Sequence, residues 1–251
     1  MGKKGGSRHL KRKPAPRFWP IHRKEYVWAV KPKPGPHSLK HNLPLTIVMR
    51  NILGFAKTRK EAKTIISEGK VLVDGKVRRE EAFPVGLMDV IFIPDAKATY
   101  RILSHERGLI LHPIEKNEAA FKLCRIEDKT VVDSGYVQLN LHDGTNKLVQ
   151  VADPKNPEED VYQTLNSVKV TIPDREIIGQ MKLAKDATAL IVGGKNQGAH
   201  GKIVNIEEAT GKKRRSLLGT IEDSSGKRFQ TILDYVFPVG NSEESISLPE
   251  V

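Results

Sequence analysis

The positive charge of this chain is gathered at one end, and that limits what the end can fold into. Residues 1–42 hold 12 Lys and Arg (Lys3, Lys4, Arg8, Lys11, Arg12, Lys13, Arg17, Arg23, Lys24, Lys31, Lys33, Lys40) against one acid, Glu25. The rest of the chain holds 30 against 29, so the net charge of +12 is that of a basic arm on a nearly neutral body. Pro14, Pro16, Pro20, Pro32, Pro34 and Pro36 break any regular period. Such a segment is expected to lack the apolar surface needed to fold alone and to stay disordered over residues 2–35 until a polyanion neutralises it. Phosphate backbones do this with release of condensed counterions. A solubilising or targeting tail would carry the same charge. It would rarely carry Phe18, Trp19, Tyr26 and Trp28, which include both tryptophans of the chain. Aromatics among cations suit base stacking and cation–π contact. Lys3, Lys4, Arg8, Lys11, Arg12, Lys13, Arg17 and Trp19 are the arm's candidate nucleic-acid contacts.

The remaining bulk features exclude more than they assign. At 251 residues the chain is long enough for one to three domains with real cores. A single cysteine, Cys124, rules out an intramolecular disulfide framework or a cysteine-rich zinc site, and is expected to be a buried apolar residue in a reducing compartment. No apolar run approaches the ~18 residues of a membrane span. The charged N-terminus has no apolar stretch behind it, so no secretory signal is expected and a cytosolic location is.

After the arm, apolar residues at 45, 48, 49, 52 and 53 predict a helix over Leu43–Leu53. A second helix opens at Thr58, which forms a capping box with Glu61. Ala62, Ile65 and Ile66 make its apolar face, and Gly69 closes it. Asp74-Gly75 between apolar runs predicts a tight hairpin. Arg78 and Arg79 follow, and 85–93 reads as a turn into a buried strand. Thr58-Arg59-Lys60-Glu61-Ala62, then Ile65-Ile66 through Gly69-Lys70-Val71 to Asp74-Gly75, and Val85-Gly86 through Asp89-Val90-Ile91 resemble the S-four RNA-binding domain, over about 50 residues. That family commonly has Ser-Arg and Asn-Gly where this chain has Thr-Arg and Asp-Gly; the hydroxyl cap and the turn residue are kept. The resemblance implies an RNA surface made by the second helix and the hairpin: Arg59, Lys60, Lys63, Lys70, Lys76, Arg78 and Arg79. A solvated basic helix face is the plain alternative.

From Tyr100 to about Lys182 the pattern changes to alternation broken by turns. Phe121–Ile126, Thr130–Val132, Val137–Leu141, Lys147–Val151 and Val168–Ile172 are expected as short strands. Asp128-Lys129, Ser134-Gly135 and Asp143-Gly144 are expected as their turns, and Val161–Leu165 as a helix. With 13 basic and 14 acidic residues over 94–185, this part has no charged footprint and reads as a small β barrel-like domain.

Further on, Ala189–Val192 and Lys202–Ile206 read as strands joined by the Gly-rich loop 193–201. It is no phosphate-binding loop of the nucleotide kind, because Asn196 and Ile203 stand where glycine and Ser/Thr are needed. The loop resembles the KOW motif, usually carried on an SH3-like barrel, with Gly198 at its central glycine. The resemblance implies contacts by Lys195, Asn196, Gln197, His200 and Lys202; a structural β-turn would look similar. The run Lys212-Lys213-Arg214-Arg215 is a further candidate phosphate contact, or a solvated turn.

The order of these parts resembles the archaeal and eukaryotic small-subunit ribosomal proteins of the S-four-e family. So do Gly5 to Arg12, Phe18-Trp19, Gly35-Pro36-His37, Leu43-Pro44-Leu45, Arg50-Asn51, Asp74 to Arg78 and the Gly-x-Met-Asp-Val-Ile of 86–91. The resemblance implies an α+β, mostly β chain: basic arm 1–42, helix-helix-hairpin RNA-binding module 43–95, β-barrel-like central domain 96–178, SH3-like KOW barrel 179–240 and tail 241–251. It implies a structural component of the small ribosomal subunit, in the cytoplasm, partnered by small-subunit ribosomal RNA and neighbouring ribosomal proteins. No catalysis, cofactor, metal, membrane or small-molecule substrate is expected. An RNA-modifying enzyme such as a pseudouridine synthase would need a catalytic Asp in a pocket, and Asp133 and Asp143 both read as turn residues. A transcription elongation factor would share the KOW motif without needing the S-four module.

Overall fold

The computed structural model describes residues 7–132, 136–150, 162–207, 214–241 and 245–249. Three five-stranded antiparallel sheets make up most of it. The first runs Lys76–Val77, Leu72–Val73, Val90–Ile93, Ala98–His105, Gly108–Pro113 in spatial order. The second runs Asn146–Gln150, Tyr136–Leu141, Phe121–Val132, Ser167–Thr171, Ile177–Met181. The third runs Arg228–Ile232, Leu218–Glu222, His200–Ile206, Thr188–Ile191, Val236–Gly240, so its last strand returns beside its first. The sheets share one apolar junction: Leu103 from the first with Met88 from the turn leading into it, Leu123 and Met181 from the second, Leu190, Phe237 and Val239 from the third. The 95/96 boundary expected from sequence falls inside the first sheet.

Local rules explain most elements. In Tyr136–Leu141 the buried residues are Val137, Leu139 and Leu141, while Gln138 and Asn140 face out, the period of a half-buried strand. The hairpin at Asp74-Gly75 has φ of 49° and 72°, the left-handed pair a two-residue connection of this kind requires. Glycine is needed at 75 twice over, since a Cβ there would come within 2.9 Å of Ile172. Helix Arg59–Ser67 has the full capping box: the Glu61 N–H donates to Thr58 Oγ1 at 3.2 Å and its carboxylate accepts from the Thr58 N–H at 3.3 Å. It closes at Gly69, φ 84°.

Several expectations need correction. The helix expected from Leu43 begins only at Leu45; Asn42–Pro44 is a strand paired with Pro84–Gly86, and Val48–Ile52 winds as a π-helical turn. Asp128-Lys129 is no turn. Phe121–Val132 is one strand with a bulge between Ile126 and Asp128, held by different partners on either side of it. Residues 162–165 are loop and turn rather than helix. The turn at Asp143-Gly144 is found as expected, whereas Ser134-Gly135, with Asp133, lies outside the described residues.

The largest correction concerns the arm, which is folded from residue 7 onward. Leu10–Lys11 pairs with Trp28–Ala29. Trp19 is only 3% exposed, sits in the core with Leu43, Leu45 and Val85, and donates its indole N–H to the Asn42 carbonyl at 2.8 Å. The Arg23 guanidinium donates to four carbonyls, those of Arg12, Lys13, Ala15 and Pro16, at 2.8–3.0 Å. The proline-broken backbone thus gets from one side chain the partners that a ladder would supply. In the free protein, residues 10–30 should give dispersed amide resonances, and the Trp19 indole proton should exchange far more slowly than that of Trp28, which is 55% exposed. Collapsed arm resonances and equal indole exchange would refute the packing.

Candidate nucleic-acid interface

The second helix builds its polar face as the sequence implies. Ala62 and Ile66 are fully buried, and Arg59, Lys60, Lys63 and Ser67 are exposed. The cations differ, however. Arg59 forks onto Glu81 at 2.8 and 3.2 Å, a contact that raises its pKa. The Lys60 and Lys63 ammonium groups have no hydrogen-bond or ion-pair partner among the described residues. Around the hairpin, Lys76 and Arg79 are exposed. Lys70 is exposed too but pairs with Glu68 at 2.9 Å and Asp95 at 3.6 Å, and Arg78 lies over the Phe83 ring at 4.3 Å. Arg50 joins this helix to the arm. Burial lowers its pKa, and so do the charges of Arg12 and Arg59 on either side. It stood in the sequence only as part of a family-like dipeptide.

On the arm, Arg8, Lys11, Lys13 and Arg17 are exposed, with side chains unpaired among the described residues. Two arm candidates are not available for RNA. The Arg12 guanidinium is buried against Glu25 at 3.2 Å and the carbonyls of His22 and Trp28. Trp19 is enclosed in the core with its N–H satisfied, so no ring face is left for a base. Lys3, Lys4, Lys212 and Lys213 lie outside the described residues, and so does the Arg214 side chain.

The Gly-rich loop and the strand that follows it present Lys195 and Lys202 to solvent, with Asn196, Gln197 and His200 half-buried. The Nδ1 of His200 is buried without a partner. Gly198 has φ 91°, and a Cβ there would lie 2.7 Å from the backbone of His105 and Glu106. The glycine therefore lets the loop seat on the turn of the first sheet. Arg215 is an internal brace rather than a free cation: it pairs with Glu127 at 3.0 Å and Asp234 at 3.2 Å. Arm and loop face a common cleft, since Arg17 and Gln197 both line a cavity of about 900 Å³.

Sequence reasoning missed the densest electrostatic feature. The buried Lys122 ammonium contacts Asp89 at 2.5 Å, Asp74 at 2.9 Å and Asp143 at 3.2 Å. Arg175 stands 3.6 Å from Asp74 and 3.5 Å from Asp143, and His37 of the arm contacts Asp89 at 3.0 Å. Burial alone would lower the Lys122 pKa, but Asp89 and Asp74 hold it well above the ordinary value. Asp143 therefore serves as a turn residue and a structural counter-ion, with no pocket chemistry of its own. Among the described residues no group of His, Cys, Asp and Glu could hold a metal, and no helix is long and apolar enough to cross a membrane.

Comparison with known proteins agrees with this layout. The profile described as the RS4NT (NUC023) domain matches residues 4–40, that of the S4 domain matches 44–91, and that of ribosomal family S4e matches 96–177. The small ribosomal subunit protein eS4 of Staphylothermus marinus is 51% identical over 251 residues, covering 100% of this chain and 99% of that one. Its namesake in Methanocaldococcus jannaschii is 46% identical over 252 residues, covering 99% and 100%. The crystal structure of the 30S ribosomal protein S4e from Thermoplasma acidophilum matches with a TM-score of 0.65 at 29% identity, over 80% of this chain and 96% of that one. Full-length relatives at about half identity, together with consecutive matching profiles, place the chain in the ribosomal S4e family, a family of ribosomal structural components and not of enzymes.

Proposed function

We propose that this protein is a structural component of the small ribosomal subunit, in the cytoplasm, that binds small-subunit ribosomal RNA and adjoins other small-subunit proteins. The observation that carries this is the S4-matched segment itself. Its helix spends Ala62 and Ile66 on the core and leaves the exposed Lys60 and Lys63 without a hydrogen-bond or ion-pair partner among the described residues. The exposed arm cations Arg8, Lys11, Lys13 and Arg17 extend the footprint, as do Lys76 and Arg79 at the hairpin. The third sheet, whose last strand pairs with its first, supports reading the C-terminal part as an SH3-like unit with Lys195, Asn196, Gln197, His200 and Lys202 on its Gly-rich loop. Neither a cofactor nor a small-molecule substrate enters this reading.

The double variant Lys60→Ala/Lys63→Ala tests it. Each lost phosphate contact should flatten the slope of log K against log salt by about 0.7–0.9, so the pair should remove about 1.5. Stability should move by no more than about 0.5 kcal/mol, as for other exposed substitutions. In a sucrose gradient the wild-type protein should travel with small subunits. An unchanged salt slope would exclude this helix face from the interface.

A further inference from the structure

We propose that the cleft between arm, first sheet and Gly-rich loop is a pocket for one unstacked nucleotide of single-stranded RNA, its base on Tyr235 and its phosphates on Arg17, Lys40 and Arg107. The inference rests on the RNA-binding reading above and adds a second, distinct kind of RNA contact to it.

Four observations converge. The cleft, at about 900 Å³, lies within the range of roughly 300–1,000 Å³ usual for small-ligand sites. The Tyr235 ring lies across Gly193 and Gly194; a Cβ would come within 2.9 Å of it at 193 and 3.2 Å at 194. Two glycines thus let an aromatic ring lie flat at the cleft wall while it stays 37% exposed, which is what a stacking platform needs. Ser104 also lines the cleft, is 1% exposed, and has no partner for its hydroxyl. A buried hydroxyl without a partner is uncommon, and a base edge supplies both donor and acceptor.

The charge points the same way. Arg17, Lys40 and Arg107 line the cleft, are exposed, and have no ion-pair partner among the described residues. Three acids line it as well. Glu127 and Asp234 are paired with Arg125 or Arg215, leaving Glu106 as the unpaired one. A duplex is too wide for such a cleft to reach a base, whereas single strands present unstacked bases to aromatic walls.

The test uses the full-length protein and two fluorescein-labelled RNAs, hexa-adenylate with one internal 2-aminopurine and a 16-base-pair duplex. Wild type is expected to bind both and to quench the 2-aminopurine on binding the hexamer. Tyr235→Ala should weaken the hexamer about tenfold or more and leave the duplex within about twofold, and Tyr235→Phe should restore hexamer binding. Arg17→Ala/Lys40→Ala should weaken the hexamer by a similar factor. Full hexamer affinity in Tyr235→Ala, or bound hexamer with unquenched 2-aminopurine in the wild type, would overturn the pocket. The quenching readout needs no variant, so a misfolded Tyr235→Ala cannot shelter the idea. Duplex binding without hexamer binding sinks the pocket alone; binding of neither sinks the RNA reading itself. Displacement of the hexamer by equimolar hexaglutamate would assign the cleft to an acidic protein segment instead and overturn the proposal.

Discussion

Lys122→Met is expected to cost about 3–5 kcal/mol of stability, the range for removing one member of a buried ion cluster. The Lys122 ammonium is the cation that Asp74, Asp89 and Asp143 share, and all four side chains are at most 7% exposed. Methionine fills much of the same volume, so packing is nearly kept and the loss is electrostatic. The carboxylates do retain other donors: Val90 N–H for Asp74, Gly86 N–H for Asp89, and the N–H and hydroxyl of Thr145 for Asp143. Arg175 and His37 also stay in place, so what the three carboxylates lose is the one charge they share and the nearest that offsets their desolvation. Whole domains are held by only about 5–15 kcal/mol, so the variant should lose a large part of its urea resistance. Urea titration at pH 7, followed by the fluorescence of buried Trp19, measures it. A loss below about 1 kcal/mol would mean that water reaches the cluster.

Acid should destabilise the protein in two stages, with the first beginning near the ordinary range of histidine. Burial, and then the charge of Lys122, pushes the buried His142 down to about 3. Its hydrogen bonds explain why the neutral form is fixed. Nδ1 accepts from the Arg125 N–H at 3.1 Å, and Nε2–H faces the Leu87 carbonyl at 3.1 Å. A second proton would have to sit on Nδ1, against a donor. In the unfolded chain the same imidazole protonates near 6.5. Between about pH 6.5 and 3 the unfolded state therefore binds the extra proton, and stability falls as pH falls. At pH 4.5 this single group should cost roughly 2–3 kcal/mol relative to pH 7.5. The second stage lies below about pH 4. Asp89 and Asp143 are buried, yet His37 and Lys122 for the one, and Lys122 and the Thr145 N–H and hydroxyl for the other, hold both below the usual carboxylate range. Their contribution is present above the unfolded pKa near 4 and is lost as pH drops below it. Asp74 opposes this, because burial and the charge of Asp89 raise its pKa. Thermal midpoints from pH 7.5 to 3.5 should trace both stages. His142→Gln should flatten the curve between about pH 6.5 and 4.5 and leave the lower fall intact. A wild-type midpoint constant from pH 7 to 4.5 would refute the neutral buried His142.

The elements readable from sequence were those decided within a few residues. Thr58 with Glu61, Gly69, and Asp74-Gly75 each fix the backbone by a local hydrogen bond or a positive φ, so cap, stop and hairpin sit where the sequence puts them. Misreadings came where a distant partner decides. Asp128-Lys129 has turn-forming composition, but strands on both sides of Phe121–Val132 carry it straight through. The arm's composition is that of a disordered segment, and the side chains that fold it act across distance: Trp19 on Asn42, His37 on Asp89. The interface was legible as charge and not as availability. Nothing local tells exposed Lys60 from Arg59 bound to Glu81, or Lys13 from buried Arg12. The Lys122 cluster had no signature at all, because its carboxylates come from three turns scattered over 70 residues and two of them, Asp74 and Asp143, also serve as turn residues.

A docked arm changes the thermodynamics of anything that engages it. A floppy basic tail must surrender backbone freedom, about 1–2 kcal/mol per residue, at the moment it binds. Here Trp19 and the four carbonyl bonds of Arg23 have already met that cost within the folding of the body. Arg8, Lys11, Lys13 and Arg17 are therefore offered from a preset backbone path, like teeth on a comb. Ordering the backbone of residues 7–42 takes nothing from the affinity, and a surface whose charges do not match the spacing of the teeth is rejected rather than accommodated.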